Sequence, residues 1–428
     1  MNRHDLKNKI WNICDILKDD GMHISTYIEQ LTILLFLKMF EDREGYFSGK
    51  RIEIPEEYSW KSLKEKRGEE LLHHYNEEVI PALARQDGII GEIFARLSSH
   101  FRTPVALKNA IKKIDKIDWN SVNADVKGAA YESLLARYAE KAEGAGQYFT
   151  PREVIDAIVK VTDPKVGEKI HDPAAGTGGF LVQAYEHILS KTNDGADLTR
   201  EERKNLMTKH LSGRELVPET RRLGLMNLAL RDLQPENFEI GNSLAPGSYE
   251  KDKYDLILTN PPYGGNGNKK PAREDFMIDT KSPELNFIQH VMSALKPGGR
   301  CGMVVPDGVL FQTGAAKRVR KELFENFNLH TILILPVGAF QPYTGITTNV
   351  IFFEKGESTE EVWYYDLRTK IEKIKKSNPL TEDLFKGFVE NFGNRERGAV
   401  RLSIGAFNSA SEIEQTLHSI EKISEKIR

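Results

Sequence analysis

The tetrapeptide Asn260-Pro261-Pro262-Tyr263 is the stretch of this chain best suited to chemistry. It follows Asp255-Leu256-Ile257-Leu258-Thr259, an apolar run of the kind that forms a fully buried parallel strand. Paired prolines cannot continue a sheet ladder, so the strand is expected to end here. Asn260 and Tyr263 then stand at a strand's carboxyl end, where open α/β sheets keep their ligands. The Asn260 carboxamide oxygen and the Pro261 carbonyl can both accept hydrogen bonds from one exocyclic amino group, and Tyr263 offers a ring face for stacking. Asn260, Pro261, Pro262 and Tyr263 are therefore the candidate catalytic set, for a planar substrate that bears an NH2 group. An ordinary loop closed by prolines is the plainer alternative for the tetrapeptide alone.

A second constellation lies upstream. Lys169-Ile170-His171-Asp172 reads as a strand end, and Pro173-Ala174-Ala175-Gly176-Thr177-Gly178-Gly179-Phe180 as a glycine-rich turn opening a helix to about Ser190. Such a turn lets a ligand approach the backbone, and the helix start favours negative charge, as on a methionine-type carboxylate. Leu181 stands where the third glycine of G-x-G-x-x-G would be, and no Gly-Lys-Ser/Thr follows, so a P-loop ATPase is not expected. Glu215 ends the next strand, Leu211 to Leu216, where a doubly wound fold binds a ribose diol. A polar insertion, Lys191 to Asn205, separates these two strands.

The elements that must position these residues divide the chain. Residues 1 to about 140 carry helical periodicity: Leu6, Ile10, Ile13 and Leu17 share one stripe that Gly21 stops, and Ser25 or Thr26 is placed to cap a second helix. Amphipathic segments follow at Gly68–Ala84, Ile89–Leu97, Ala106–Ile114 and Val126–Glu140. At the boundary, Thr150 can cap a helix whose first residue is Pro151. From there strand and helix alternate. Further strands are expected at Phe238–Gly241, Cys301–Pro306, Thr331–Leu335 and Asn349–Phe353, giving seven in all. Gly264 to Lys270 is a glycine-rich basic loop, suited equally to phosphates or to solvent. The fold class is α/β, a seven-stranded Rossmann-like domain over 144–356, preceded by a helical domain over 1–143 and followed by an extension over 357–428 with a terminal helix, Ala410–Ile427.

Composition narrows the class. At 428 residues the chain exceeds ordinary single-domain size. A net charge of −3 argues against strong solitary nucleic-acid binding. Cys14 and Cys301 are far apart in apolar surroundings, which fits buried thiols of a reducing compartment rather than a disulfide or zinc framework. No residues are assigned to a metal; the pair His73-His74 has no partnering Cys. The longest apolar cluster, Ile33 to Phe40, is interrupted by Lys38 and too short to span a bilayer, so the expected location is the cytoplasm.

Taken in order, these features resemble the modification subunits of Type I restriction–modification systems, which are adenine-N6 DNA methyltransferases using S-adenosylmethionine. The resemblance rests on Ile10-Trp11-Asn12-Ile13-Cys14-Asp15 with Leu34-Leu35-Phe36-Leu37-Lys38, on Tyr131-Glu132, and on Gly146-Gln147-Tyr148-Phe149-Thr150-Pro151. It continues through the Asp172 to Gly178 turn, Gly213-Arg214-Glu215, the Asn260 tetrapeptide, and Pro342-Tyr343-Thr344-Gly345 before Thr348-Asn349-Val350. Asn-Pro-Pro-Tyr is shared with protein-glutamine methyltransferases; the helical start and the Gln147 to Pro151 segment separate the two. A catalytically silent assembly subunit is the non-enzymatic alternative, which loss of Asn260 or of the glycine turn would have favoured.

The resemblance implies an S-adenosylmethionine site built from Gln147, Tyr148, Phe149 and Thr150, from Asp172, Ala174, Gly176, Thr177, Gly178 and Gly179, and from Glu215. Asn242, with Ser243 and Leu244, would stand by the cofactor's adenine, at a position where the family usually has Asp. The partners it implies are double-stranded DNA, a separate specificity subunit, a second copy of the modification subunit and, where one accompanies it, a restriction subunit.

Overall fold

The computed structural model describes residues 24–41, 54–117, 149–263, 273–341, 345–375, 377–393 and 400–402, with scattered positions among 6–13 and 119–135. Before residue 136 all regular structure among the described residues is helical: α1 (Ile24–Glu41), α2 (Trp60–Glu65), α3 (Gly68–His73), α4 (Ile80–Ala84), α5 (Ile89–Phe94) and α6 (Pro104–Asp115). Helix α1 already begins at Ile24, so Ser25 and Thr26 lie inside its first turn rather than before it. Its Leu31, Leu34, Leu35 and Phe36 are all buried. Its residues 31–37 are buried without a break, which places the helix inside a core, and no helix among the described residues is long and apolar enough to cross a membrane. The segment expected as one helix over 68–84 is continuous but carries a π turn, His74–Val79. Pro81 lacks the N–H that would reach the carbonyl of Glu77, and the wider turn before it absorbs the mismatch. Buried His74 bonds Ser62 and Glu78, a packing role.

The rest of the described residues are built on one sheet of nine strands: β1 (Ile170–Asp172), β2 (Leu211–Glu215), β3 (Phe238–Ile240), β4 (Tyr254–Thr259), β5 (Leu295–Pro306), β6 (Phe327–Ile334), β7 (Thr348–Lys355), β8 (Val362–Asp366) and β9 (Val400–Leu402). Their order is β3-β2-β1-β4-β5-β7-β6-β8-β9. Strands β1 to β5 run parallel, and β7 is inserted antiparallel between β5 and β6. The expected count of seven is thus too low. Strand β8 pairs parallel with β6, Trp363 opposite Thr331, and β9 closes the edge. Sequence reading had placed residues after 356 outside the sheet.

Helices α7 (Arg152–Thr162), α8 (Gly179–Lys191), α9 (Arg200–Thr208) and α10 (Pro218–Ala229) link the first strands. Helix α9 begins inside the expected polar insertion, Lys191 to Asn205, and runs past it to Thr208; its start is a capping box between Thr199 and Glu202. Helices α11 (Pro283–Ala294), α12 (Gly308–Phe311), α13 (Ala315–Asn326) and α14 (Glu382–Asn391) complete the core. The sheet is buried on both faces: Leu256, Leu258 and Val304 join one apolar cluster, while Ile257, Met303 and Val305 join the other. That double burial is why these strands read as unbroken apolar runs. The terminal helix expected at Ala410–Ile427 and the Gly264–Lys270 loop lie outside the described residues.

Candidate active site

Strand order reverses at β1, whose neighbours are β2 and β4. A crevice opens at such a switch point, outside the carboxyl ends of the strands. Asn260 leaves β4 there and is 9% exposed. Its Nδ2 donates to Thr150 Oγ1 at 2.8 Å, and the Tyr263 hydroxyl donates to its Oδ1. Thr150 therefore does not cap the following helix: α7 has no side-chain cap, with Pro151 as its boundary residue. The hydroxyl is turned instead to the tetrapeptide. Tyr263 also departs from expectation. Its ring is 2% exposed and packs into the main apolar cluster, so the ring face expected to stack on a substrate is covered. What the phenol does in this arrangement is hold the carboxamide.

The glycine turn forms the opposite wall. Asp172 Oδ1 accepts from Ala174 N at 3.0 Å, which starts the turn. Gly178, the residue before α8, sits at φ +77°, a left-handed conformation that a side chain would strain. Gly213 on β2 answers a different need: a Cβ there would lie 2.9 Å from Ala175 Cβ and from the Phe238 ring, so the turn packs directly on the strand. Glu215 Oε2 accepts from Gly176 N at 2.9 Å and Oε1 from Val217 N at 2.8 Å. Each carboxylate oxygen keeps a further lone pair for a hydroxyl. Burial raises the pKa of Glu215. Burial likewise pushes Asp172 up to about 7, with the nearby Glu215 adding to the rise against the hydrogen bond from Ala174.

One cleft of roughly 180 Å³ brings together Phe149, Thr150, Asp172, Ala174, Gly176, Thr177, Gly179, Glu215, Asn260 and Pro262. Gly178, Pro261, Tyr263 and the Asn242–Leu244 stretch do not line it. Asn242 is exposed, and its Oδ1 is engaged locally, accepting from Leu244 N at 2.9 Å. Ser243 Oγ donates to Pro173 O at 2.6 Å and so ties this loop to the glycine turn. Gln147 and Tyr148 lie outside the described residues.

Sequence reading missed Glu132, Arg152, Gln183, Leu216 and Asn227, which also line the cleft. Arg152 Nη1 donates to Glu132 Oε2 at 2.8 Å and its Nη2 to Glu186 Oε2 at 3.1 Å, a bridge from the N-terminal part to α8. Arg152 directly follows the Pro151 helix start, which is the one signal that pointed near it. Leu216 is 61% exposed beside Glu215, an apolar wall where a flat ring could lie. One buried and one half-buried carboxylate, an apolar wall and a glycine turn suit a ligand with cationic, hydroxylated and planar parts, which is the make-up of S-adenosylmethionine.

Away from the cleft, His171 Nε2, Glu250 Oε2 and His290 Nε2 lie within 4.8 Å of one another, all on buried residues. Arg273 Nη1 donates to His290 Nδ1 at 2.6 Å. A neutral ring accepting at Nδ1 carries its proton on Nε2 and has no lone pair there for a cation. The three atoms have no hydrogen-bond partner among the described residues, while the other oxygen of Glu250, Oε1, accepts from the Tyr254 hydroxyl at 2.8 Å.

Comparisons with known proteins agree with this geometry. Residues 122–421 match the N-6 DNA methylase family model, and residues 6–114 match the HsdM N-terminal domain. The chain is 35% identical to the Type I restriction enzyme EcoKI methylase subunit of Escherichia coli, over 98% of this chain and 82% of that one. The StySPI methylase subunit of Salmonella potsdam gives the same identity and coverage. Among solved structures, a chain described for complex assembly and conformational transition of a Type I restriction–modification system superposes with a TM-score of 0.76 at 30% identity, covering 100% of this chain and 97% of that one. The chain therefore belongs to the N-6 DNA methylase family and is an S-adenosylmethionine-dependent, adenine-specific DNA methyltransferase of the Type I restriction kind.

Proposed function

We propose that this subunit methylates an adenine flipped out of duplex DNA, at sites chosen by a separate specificity subunit. The observation that carries the reading is that Asn260 and the Asp172–Gly179 turn face one cleft. The adenine amino nitrogen is a poor nucleophile, because its lone pair is delocalised into the ring. Asn260 Oδ1 and Pro261 O each take one of its N–H groups, which directs the lone pair across the cleft. Oδ1 can do this while still accepting from Tyr263, since it has two lone pairs. The cofactor supplies an activated methyl group on a sulfonium sulfur. Asp172 and Glu215 are placed to hold the cationic and hydroxylated parts, and Leu216 the planar part. Orientation and electrostatics then account for catalysis; aligned reactants are worth about 7–11 kcal/mol.

Target choice is assigned to a partner because reading base edges needs an element that enters a groove. The described residues are accounted for by the helices before residue 136 and by the sheet with its helices, and the net charge of −3 offers little general DNA affinity. Two copies of this chain flanking one specificity subunit would place a cleft over each strand of the site, in the cytoplasm. The test is methyl transfer to duplex DNA by the purified chain, with and without that subunit. Activity only on adding the partner is expected. Site-specific methylation by the chain alone overturns the separate selector, and no transfer in either case overturns the reading as a whole.

A further inference from the structure

The segment after β5 joins an exposed aromatic ring to a run of basic residues. Helix α12 (Gly308–Phe311) ends in Phe311, whose side chain is 64% exposed. The backbone that carries it is held on both sides. Arg320 Nη1 donates to Val309 O at 2.7 Å and Nη2 to Gln312 O at 2.9 Å, clamping the backbone on both sides of Phe311. Asp307 N donates to Thr347 O at 3.0 Å, and Asp307 Oδ1 accepts from the Asn349 amide, which fixes the start of the segment to β7.

Its surroundings are cationic. From Gly308 to Lys321 there is no acidic residue, while Lys317, Arg318, Arg320 and Lys321 are basic, in a chain whose net charge is −3. Lys317 and Arg318 are exposed and make no ion pair among the described residues. Lys321 is 3.6 Å from Glu325, and Arg320 is spent on the clamp.

The position follows from strand register. Thr259 pairs with Met303, so Asn260 stands level with Val304. Strand β5 runs on to Pro306, and α12 begins after Asp307. At about 3.3 Å per residue, Asp307 stands roughly 10 Å beyond the level of Asn260 along the strands, so the segment that carries Phe311 leaves the sheet at the same carboxyl end. If an adenine is delivered to Asn260 from a duplex outside this sheet end, the gap it leaves in the stack faces the same side.

We propose that Phe311, Lys317 and Arg318 form a duplex-facing rim, in which the two cations take phosphates and the ring enters the base stack as the target adenine leaves. The inference rests on the reading of flipped adenine as the substrate. Apolar wedges of this kind fill the space between base steps in proteins that distort DNA. Charge complementarity selects DNA over the specificity subunit as the occupant, and the rigid backbone suits insertion into a stack.

The experiment uses the complex of this chain with its specificity subunit, on two duplexes: one with 2-aminopurine in place of the target adenine, which reads opening, and one with the adenine itself, which reads methyl transfer. The fluorescence rise on opening needs no methyl transfer, so it reports on the rim even where the active-site reading fails. Phe311→Ala is expected to cut that rise and to lower kcat about tenfold, with S-adenosylmethionine affinity within twofold, and a duplex with a mismatched target base to restore both, since a mismatch is cheaper to extrude. Phe311→Trp keeps the rise. The pair Lys317→Ala with Arg318→Ala is expected to reduce the slope of log affinity against log salt by about 2, each lost phosphate contact being worth about 0.9. A full fluorescence rise with Phe311→Ala, or an unchanged salt slope, overturns the rim. Loss of the specificity subunit from the complex on Phe311→Ala, read by native mass spectrometry, makes this face a protein interface and overturns it too. A wild-type complex that opens the site but transfers no methyl group leaves the rim standing and refutes the active site.

Discussion

The titration of Asp172 makes a prediction that separates a cofactor site from a merely buried carboxyl. The residue is 2% exposed, and burial pushes its pKa from an ordinary 3.8 up to about 7. A rise of about three units corresponds to a cost on the order of 4 kcal/mol for holding the ionised form in the chain alone. Because the folded-state pKa is raised, the folded chain keeps a proton that the unfolded chain loses between pH 4 and pH 7. Stability from this group is therefore present at low pH, declines as pH rises through that window and is flat above it. A ligand bearing sulfonium and ammonium charges prefers the ionised carboxylate. Its binding should tighten as pH rises, by about tenfold between pH 5.5 and pH 7, and should release a proton below pH 7. Calorimetry in two buffers of different protonation enthalpy reads both quantities. Asp172→Asn should bind weakly with a flat profile while melting higher than the wild type at pH 7.5. A wild-type dissociation constant unchanged between pH 5.5 and pH 7, with no proton released, refutes the placement of the cofactor's cationic part at Asp172.

Other expectations concern the tetrapeptide and the fold. Asn260→Ala should abolish methyl transfer to DNA while leaving S-adenosylmethionine affinity within a few-fold, because the carboxamide meets the base; full transfer by the variant sinks that role. Tyr263→Phe should lower kcat about tenfold with little change in KM for DNA, since the lost hydroxyl leaves Oδ1 free to turn, at roughly 1 kcal/mol for a hydrogen bond; a variant as active as the wild type would mean that only the ring matters. Gly178→Ala, at φ +77°, should cost about 1–2 kcal/mol and weaken cofactor binding, measured by calorimetry alongside thermal melting. Phe388, fully buried and stacked on Trp363 at 5.6 Å, anchors α14 to the sheet, so Phe388→Ala should cost about 3–5 kcal/mol in urea unfolding.

Much of the scaffold was legible in the chain because buried parallel strands announce themselves. Leu256, Ile257 and Leu258 alternate between two apolar clusters, and only a sheet covered on both faces asks for that unbroken run. The prolines after Asn260, the glycines after Asp172 and the acid at Glu215 are local signals too, each tied to a backbone that must stop, turn or end. Strand β8 was overlooked because Val362-Trp363-Tyr364-Tyr365 lies past a glycine turn, and its partner, β6, is about thirty residues upstream. What only the tertiary structure decided are the contacts across sequence distance. Thr150 looked like a helix cap, which is its commonest use beside Pro151, yet its hydroxyl meets Asn260 from 110 residues away. Tyr263 looked like a free stacking face because no local pattern shows that its ring turns back into the core and its phenol onto Asn260. Glu132 and Arg152 entered the cleft by an ion pair that no spacing encodes. Periodicity and turn chemistry are written in neighbouring residues, so a sequence can state them alone. Which hydroxyl holds which carboxamide depends on how the finished elements pack.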